Sequence, residues 1–159
     1  MIRHLAEHQE QQSVLRANPD KPPDAIEELF RLYGSAGSLR TCVKEMRLAG
    51  VTIKPGDKVM VLPSLAGRDS AEYPDPLEFR FDRAPRHVGF GSGPHMCIGM
   101  HLARREMRVA ISTMLSMLPS FRLAPDTAVV SDLSGMLQPR SLPLVWDTPT
   151  ADSLDLHAH

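Results

Sequence analysis

The stretch FGSGPHMCIGMHLARRE, residues 90–106, places three glycines around a single cysteine, directly before a long amphipathic pattern. Glycine lets the backbone approach another group closely and adopt a positive φ angle. The start of a helix adds unpaired N–H groups and a partial positive charge. Because both features stabilise a thiolate, Cys97 is a candidate for thiolate chemistry.

The chemistry of Cys97 is open to several interpretations at this point. A single cysteine is often a buried core residue. A phosphatase-like nucleophile needs the spacing C-x5-R, whereas Arg104 gives C-x6-R, and no Gly-Lys-Ser/Thr follows the glycines as a P-loop requires. His95, Cys97 and His101 could belong to a zinc site, although no fourth ligand is evident. Thiolate ligation of heme iron explains more, because glycines on both sides of Cys97 leave room for a flat macrocycle.

Three segments have the spacing of helices. Residues 2–16 form the first. The second covers residues 25–33, with Asp24 predicted as the N-cap and Glu27 three positions later, as in a capping box. The third and clearest covers residues 98–118, where apolar residues recur every three or four positions among charged ones.

Short apolar runs predict the strands. Those between residues 39 and 62 indicate a β-meander or hairpin, with KPGD at residues 54–57 as the tight turn between the last two strands. Residues 121–125 and 142–146 are predicted as further strands. Residues 66–96 show no period, and a loop of this length is usually functional or disordered. Three phenylalanines within it favour an ordered, packed loop.

The composition excludes several classes of protein. The chain has 159 residues, 42% hydrophobic and 23% charged, and its net charge is −1. This balance gives no electrostatic case for binding nucleic acid or an anionic membrane. No apolar run approaches the roughly 20 residues of a membrane span, and the N-terminus does not have the pattern of a signal peptide. Two cysteines make a poor disulfide framework, so we expect a reducing, cytoplasmic setting.

The cysteine stretch resembles the heme-binding signature of the cytochrome P-450 family. That signature, F-x-x-G-x-x-x-C-x-G, is met at Phe90, Gly93, Cys97 and Gly99. The likeness is greatest to the bacterial camphor-hydroxylase type, through HLARRE after the cysteine and LPLVWD near the end. It extends from about residue 5 to residue 147.

A second family motif lies upstream. EELFR contains the family's E-x-x-R at Glu28 and Arg31, which are i,i+3 neighbours on the predicted second helix. Such a pair taken alone is usually a solvated surface salt bridge. The resemblance implies instead that Glu28 and Arg31 lock the loop before the cysteine together with Arg83, in the segment FRFDRAP.

The resemblance implies an α+β fold that is mostly α, the C-terminal part of the cytochrome P-450 fold with a small β-meander. Residues 1–147 would form a partial heme-binding domain and residues 148–159 a flexible tail. The cofactor would be heme b, with Cys97 as the axial thiolate. The remaining residues expected at the cofactor are the loop residues Phe90, Gly91, Gly93 and Gly99, and Arg40 and His95 at the heme propionates. Ser38 departs from the camphor type, which has an acid there.

The implied activity is that of a heme-thiolate monooxygenase, which inserts one oxygen atom of dioxygen into an apolar small molecule with electrons from a ferredoxin. The camphor type is more than twice as long, and its acid-alcohol pair for proton delivery has no counterpart here. A non-catalytic, truncated heme-binding remnant is therefore the alternative. Candidate substrate-pocket residues are Ala36, Leu39, Met136 and Leu137.

Overall fold

The computed structural model describes residues 1–34, 36–133 and 137–147. The helices are α1 (Ile2–Glu7), α2 (Gln9–Ala17), α3 (Pro22–Tyr33), α4 (Pro63–Ala66) and α5 (Met100–Met117). The strands are β1 (Ser38–Thr41), β2 (Met46–Leu48), β3 (Val51–Ile53), β4 (Lys58–Val61), β5 (Phe121–Leu123), β6 (Ser131–Leu133), β7 (Leu137–Pro139) and β8 (Leu144–Trp146). The predicted tail, residues 148–159, and Met136 lie outside the described residues, as does the side chain of Leu137.

The first predicted helix is two helices, so the expectation of one continuous helix over 2–16 is wrong. The break is at His8, which has φ −131° and ψ 77°. The His8 imidazole Nδ1 lies 2.8 Å from the carbonyl oxygen of His4. That carbonyl would accept the backbone N–H of His8 in a continuous helix, so the side chain competes with the helical hydrogen bond.

Helix α3 begins earlier than predicted and without the predicted cap. Its first residue is Pro22, Lys21 is at the N-cap position, and no side chain caps the helix. Proline suits the first turn because the N–H that it lacks has no helical partner there. Asp24 therefore lies inside the first turn, and the predicted capping box of Asp24 and Glu27 is wrong. Gly34 ends the helix, as expected.

The strands between residues 38 and 61 pair differently from the prediction. KPGD does form a turn, in which the N–H of Lys54 donates to the Asp57 carboxylate at 2.8 Å. It does not join paired strands, however, since β2 pairs with β3 and β1 pairs with β4. The β2–β3 hairpin turns at Ala49 and Gly50, both with positive φ, as a two-residue hairpin loop requires.

The second half of the chain follows the prediction more closely. Strands β5 and β8 lie within the two predicted segments and pair antiparallel, Phe121 opposite Trp146. The β6–β7 pair was not predicted. In the described residues the strands form four two-stranded antiparallel sheets. The expected fold class, mostly α with small β elements, is confirmed.

The core lies between α1, α2, α3, α5 and β5. Its buried apolar members are Leu5, Ala6, Leu15, Ala25, Ile26, Leu29, Ile111, Leu115 and Phe121. Gln12 is buried among them. Its amide donates to the carbonyls of Leu5 and Phe121, both at 2.6 Å, and accepts the N–H of Phe121 at 3.3 Å. Because its polar atoms are paired, Gln12 links the N-terminal helices to β5 without an unsatisfied buried group.

Helix α5 buries only one side of its apolar surface. Met107 and Met114 pack against the core. Leu102, Val109 and Met117 are exposed on another side of the helix. Since an apolar surface of this kind is normally covered, α5 presents an open apolar stripe in the described part of the chain.

Candidate functional site

Cys97 lies in a short closed loop immediately before α5. The backbone N–H of Cys97 donates to the carbonyl of Phe90 at 2.8 Å, which joins the two ends of the loop. Between them Gly91 and Gly93 adopt φ angles of +78° and +67°, which side-chain-bearing residues rarely adopt. Gly91 and Gly93 are therefore required by the loop's own backbone.

The helix starts two residues later than predicted, at Met100 rather than Ile98. Cys97 therefore precedes the helix, and the N–H of Met100 donates to its carbonyl at 3.3 Å. The sulfur is exposed, and a Cβ on Gly99 would lie 3.9 Å from it. The thiol is thus presented at a helix N-terminus with no disulfide partner.

Phe90 forms the base of the loop. Its ring centroid lies 4.5 Å from that of Phe30 on α3 and 5.9 Å from that of His87. The guanidinium of Arg104 lies over the same ring, 4.8 Å from the centroid. Phe90 is thereby packed between α3, α5 and the segment before the loop.

The E-x-x-R motif, Glu28 and Arg31, lies in a buried charged cluster. Arg31 donates through Nε and Nη2 to both carboxylate oxygens of Glu28, at 2.8 and 2.7 Å. Its remaining three donors bond to backbone carbonyls of the long loop. These acceptors are Gly67, Pro76 and Glu78. All five guanidinium donors are used, which fits a side chain that is only 1% exposed.

Arg83 joins the same carboxylate. Its Nε donates to Glu28 Oε1 at 2.8 Å, and its Nη1 donates to the carbonyl of Pro74 at 2.6 Å. Burial by itself raises the pKa of Glu28, but hydrogen bonds from Arg31 and Arg83 outweigh it and hold that pKa below its ordinary value. The structure therefore brings Glu28, Arg31 and Arg83 together around one ionised carboxylate.

The two residues expected at the heme propionates are both exposed. Arg40 lies on β1, and its guanidinium donates to the carbonyl of Leu39 at 3.0 Å. His95 ends a short 3-10 turn, Gly93–His95, inside the Cys97 loop. Across the described residues no hydrogen bond connects Arg40 to that loop. Their contact with a shared ligand remains a prediction.

A further charged group was missed by the sequence reasoning. Glu27 had been assigned to a helix cap, but its carboxylate binds Arg104 on α5 at 2.6 and 2.8 Å and His87 at 3.0 Å. The available signal was the position of Glu27 beside the E-x-x-R motif, on a different face of α3. Nothing in the sequence indicated that His87 and Arg104 would meet there.

A wide groove of about 920 Å³ lies at the C-terminal end of α3, where Phe30, Leu32 and Tyr33 line it. Ala36, a predicted pocket residue, lines it together with Met60 and Leu62. Leu39 is not among its lining residues and is exposed. The groove is mainly apolar, which is the usual character of a small-molecule site.

Two kinds of feature are absent from the part of the chain that the structure describes. No cluster of three or more His, Cys, Asp or Glu side chains there could hold a metal ion. Nor is any helix in that part long and apolar enough to cross a membrane.

Comparison with known proteins identifies the family. The family model described as Cytochrome P450 matches residues 23–143. Pentalenic acid synthase of Streptomyces avermitilis is 38% identical over 89% of this chain and 36% of its own length. Steroid C26-monooxygenase of Mycolicibacterium smegmatis is 37% identical over 94% of this chain and 38% of its own. The crystal structure of cytochrome P450 CYP101C1 superposes with a TM-score of 0.85 at 40% identity, covering 92% of this chain and 38% of that one.

The chain belongs to the cytochrome P450 family, as the two motifs predicted. It spans just over a third of the length of the relatives and structures that it matches. The family implies a heme-thiolate cofactor, and the side chains here fit one chemically. Cys97 offers an exposed thiol at a glycine-lined loop, and Arg40 and His95 are exposed groups that can donate hydrogen bonds to carboxylates.

Proposed function

We propose that Cys97 is the axial thiolate ligand of heme b and that the protein to which this chain belongs is a monooxygenase. It would insert one oxygen atom of dioxygen into an apolar small molecule, with electrons from a ferredoxin. The observation that carries the proposal is the closed, glycine-dependent loop of Cys97, whose Phe90 packs against Phe30 on the helix that carries Glu28 and Arg31.

The residues of this chain have distinct parts in that site. Cys97 would donate its sulfur, while Gly91, Gly93 and Gly99 allow a flat group to approach the loop. Arg40 and His95 would bind the two propionates by charge-assisted hydrogen bonds. Heme bound through a thiolate supplies dioxygen activation, because the thiolate donates electron density that favours O–O cleavage.

The cluster beneath the loop would hold the ligand in place without touching the cofactor. Arg31 and Arg83 fix the carbonyls of Gly67, Pro74 and Pro76 near Glu28, in the long segment that precedes the cysteine loop. A thiolate position that is fixed in this way matters because ligand geometry must be held to within a fraction of an ångström for metal chemistry. Glu28, Arg31 and Arg83 are therefore proposed as a structural lock.

The test is the difference spectrum of the reduced, carbon monoxide-bound protein after addition of heme. A Soret band shifted as for thiolate ligation, lost in Cys97→Ala and retained in Cys42→Ala, would support the proposal. Cys42→Ala is the matched control because Cys42 is the other thiol and lies on a different part of the fold. A thiolate-type spectrum that survives Cys97→Ala would contradict the assignment.

A second candidate is heme binding without turnover. Consumption of reducing equivalents with product formation, using a reduced ferredoxin and an apolar substrate, would support the monooxygenase. A thiolate-type spectrum without any turnover would support the binding-only alternative.

A further inference from the structure

Glu27 contacts residues on both sides of the cysteine loop. Its carboxylate accepts two hydrogen bonds from Arg104, from Nε at 2.6 Å and from Nη2 at 2.8 Å. It also lies 3.0 Å from His87 Nε2. His87 is ten residues before Cys97 and Arg104 is seven residues after it. One side chain on α3 thus joins the segment that enters the loop to the helix that leaves it.

On the side that enters the loop, His87 binds both Glu27 and the backbone next to the loop. The N–H of Gly89 donates to His87 Nδ1 at 3.0 Å, so Nδ1 is unprotonated and the imidazole proton is on Nε2, where it donates to Glu27. The His87 side chain is only 2% exposed. A Cβ on Gly89 would lie 2.9 Å from His87 Nδ1 and 3.2 Å from the carbonyl of Phe30. The backbone at the loop entrance is therefore closely confined.

On the side that leaves the loop, Arg104 contacts Phe90, the residue at which the Cys97 loop begins. Arg104, held in a bidentate pair by Glu27, lies over the ring of Phe90 at 4.8 Å from its centroid. The carbonyl of Phe90 accepts the N–H of Cys97 at 2.8 Å. Bidentate pairing fixes the plane of the guanidinium as well as its distance. Glu27 thus orients the Arg104 guanidinium, which packs on the ring of Phe90, and Phe90 is bonded to the backbone of Cys97.

We propose that Glu27 is a positioning residue that clamps both ends of the Cys97 loop, through His87 on the entering side and Arg104 on the leaving side. The proposal rests on the proposed function only in taking Cys97 as the thiolate ligand. Glu27 acts separately from the Glu28 lock. Glu28 binds the loop before residue 84, whereas Glu27 binds the residues immediately around the cysteine.

The alternative is an ordinary ion pair that ties α3 to α5. Glu27 and Arg104 are 29% and 32% exposed, and partly solvated pairs of this kind often contribute little to stability. The two interpretations differ in what a substitution would change. A helix tie would lower the stability of the whole chain evenly, whereas a clamp would release the loop with little effect elsewhere.

Hydrogen exchange of the 159-residue chain separates these outcomes. The reporters are the amides of Gly91 and Cys97, whose N–H groups bond to the carbonyls of Val88 and Phe90. In Glu27→Gln we expect exchange of these amides to accelerate roughly tenfold or more, because charge-assisted hydrogen bonds at the loop are lost. Exchange in α2 should stay as in the unsubstituted chain.

Two control variants define the comparison. Glu10→Gln makes the same substitution on the exposed surface of α2 and should leave the Gly91 and Cys97 amides unchanged. Ile111→Val removes one buried methylene from the core and should accelerate exchange evenly along the chain. Acceleration in Glu27→Gln that is even along the chain, as in Ile111→Val, would overturn the clamp. So would an unchanged rate, or the absence of any protection at Gly91 and Cys97 in the unsubstituted chain.

A spectroscopic measurement connects the clamp to the ligand. In the heme-loaded protein, Glu27→Gln should lower the thiolate-type share of the reduced carbon monoxide spectrum at least twofold. Arg104→Lys should have an intermediate effect, because lysine keeps the charge and loses the bidentate fork. If the unsubstituted protein shows no thiolate-type spectrum, the proposed function fails while the exchange result still decides the clamp. An unchanged thiolate share in Glu27→Gln would overturn the link to the ligand.

Discussion

The Glu28–Arg31–Arg83 cluster and the Cys97 loop are neighbours in the fold with opposite surroundings. In the cluster, Arg31 is 1% exposed and each of its donors has a partner within the chain. In the loop, Cys97 is exposed and the following residue, Ile98, is fully exposed. The cluster is complete within the described residues, whereas the surface that the loop presents is open.

Holding the Cys97 loop in position and enclosing a ligand at Cys97 are separate tasks, and the cluster performs only the first. The cluster depends on exact pairing, because a buried charge that loses its partner is strongly destabilising. The loop depends on backbone geometry and has little side-chain burial of its own. Substitutions in the cluster should therefore change the stability of the chain, while substitutions on the open face should leave it nearly unchanged.

The largest effect is expected for Arg31→Met. It leaves Glu28 buried with Arg83 as its remaining cation. The carbonyls of Gly67 and Pro76 lose their donor, and that of Glu78 keeps only Arg83 Nη2 at 3.4 Å. We expect a loss of about 3–5 kcal/mol in the free energy of unfolding, measured with urea. Arg40→Met is the matched control, since Arg40 is exposed, and it should cost less than about 0.5 kcal/mol. Equal losses in the two variants would contradict the contrast.

Gly67→Ala tests how closely the loop is pressed against the cluster. A Cβ at this position would overlap the carbonyl oxygen of Arg31, which is part of the α3 backbone and has little freedom to move. The φ angle of Gly67 is −66°, so the effect would be steric only. We expect a cost of about 1–3 kcal/mol in urea unfolding.

The control for Gly67→Ala is Gly99→Ala on the open side. Gly99 has φ −85°, and its added methyl would meet Cys97 Sγ at 3.9 Å, an ordinary contact. A cost for Gly99→Ala as large as that for Gly67→Ala would show that the loop is as tightly packed as the cluster.

Lowering the pH should reduce the free energy of unfolding by less than Arg31→Met does. When Glu28 is protonated, Arg31 keeps its hydrogen bonds to backbone carbonyls. Since hydrogen bonds lower the pKa of Glu28 in the folded chain, its contribution is present above 4.5, the ordinary value. It is lost as the pH falls from there through the folded pKa, where the unfolded chain binds more protons. Unfolding measured along this range should show a steeper loss in the unsubstituted chain than in Glu28→Gln. Identical slopes would contradict the assignment.

The smallest effect is expected on the open face. Ile98→Ser removes a side chain that is fully exposed, so the free energy of unfolding should change by less than about 0.5 kcal/mol. The same residue type at Ile111 is buried, and Ile111→Ala should cost about 2–5 kcal/mol. A large cost for Ile98→Ser in thermal or urea unfolding would mean that the loop is covered in solution.

The sequence predicted the family, most of α5 and the strands β5 and β8, though not their pairing, because each depends on a local pattern. Glycine spacing, helical periodicity and short apolar runs are readable within one segment. The break at His8 and the start of α3 at Pro22 were missed for a different reason. At His8 a side chain competes with a helical hydrogen bond, and at Pro22 the first turn accepts a proline because no N–H is needed there. Periodicity reports neither effect.

The pairing of strands and the pairing of charged side chains were harder to predict from the sequence. KPGD does form a turn, as predicted. However, the backbone N–H of Gly56 donates to the carbonyl of Cys42, and this contact continues the pairing of β4 with β1. Glu27 likewise meets His87 and Arg104, 60 and 77 positions along the chain. Long-range contacts of this kind come from the packed fold and leave no local signal in one sequence.

Gln12 has a consequence for the order in which the chain can fold. Its amide is satisfied by Phe121, 109 positions later. A ribosome adding about 5–20 residues per second would need on the order of 10 s to deliver that partner after Gln12 itself has been made. Until then, closing the N-terminal helices around Gln12 would leave its amide oxygen buried without a donor, although its N–H could still bond to Leu5, at a cost of about 1–3 kcal/mol. We therefore expect the N-terminal helices to reach their final packing only late in synthesis, when β5 has emerged.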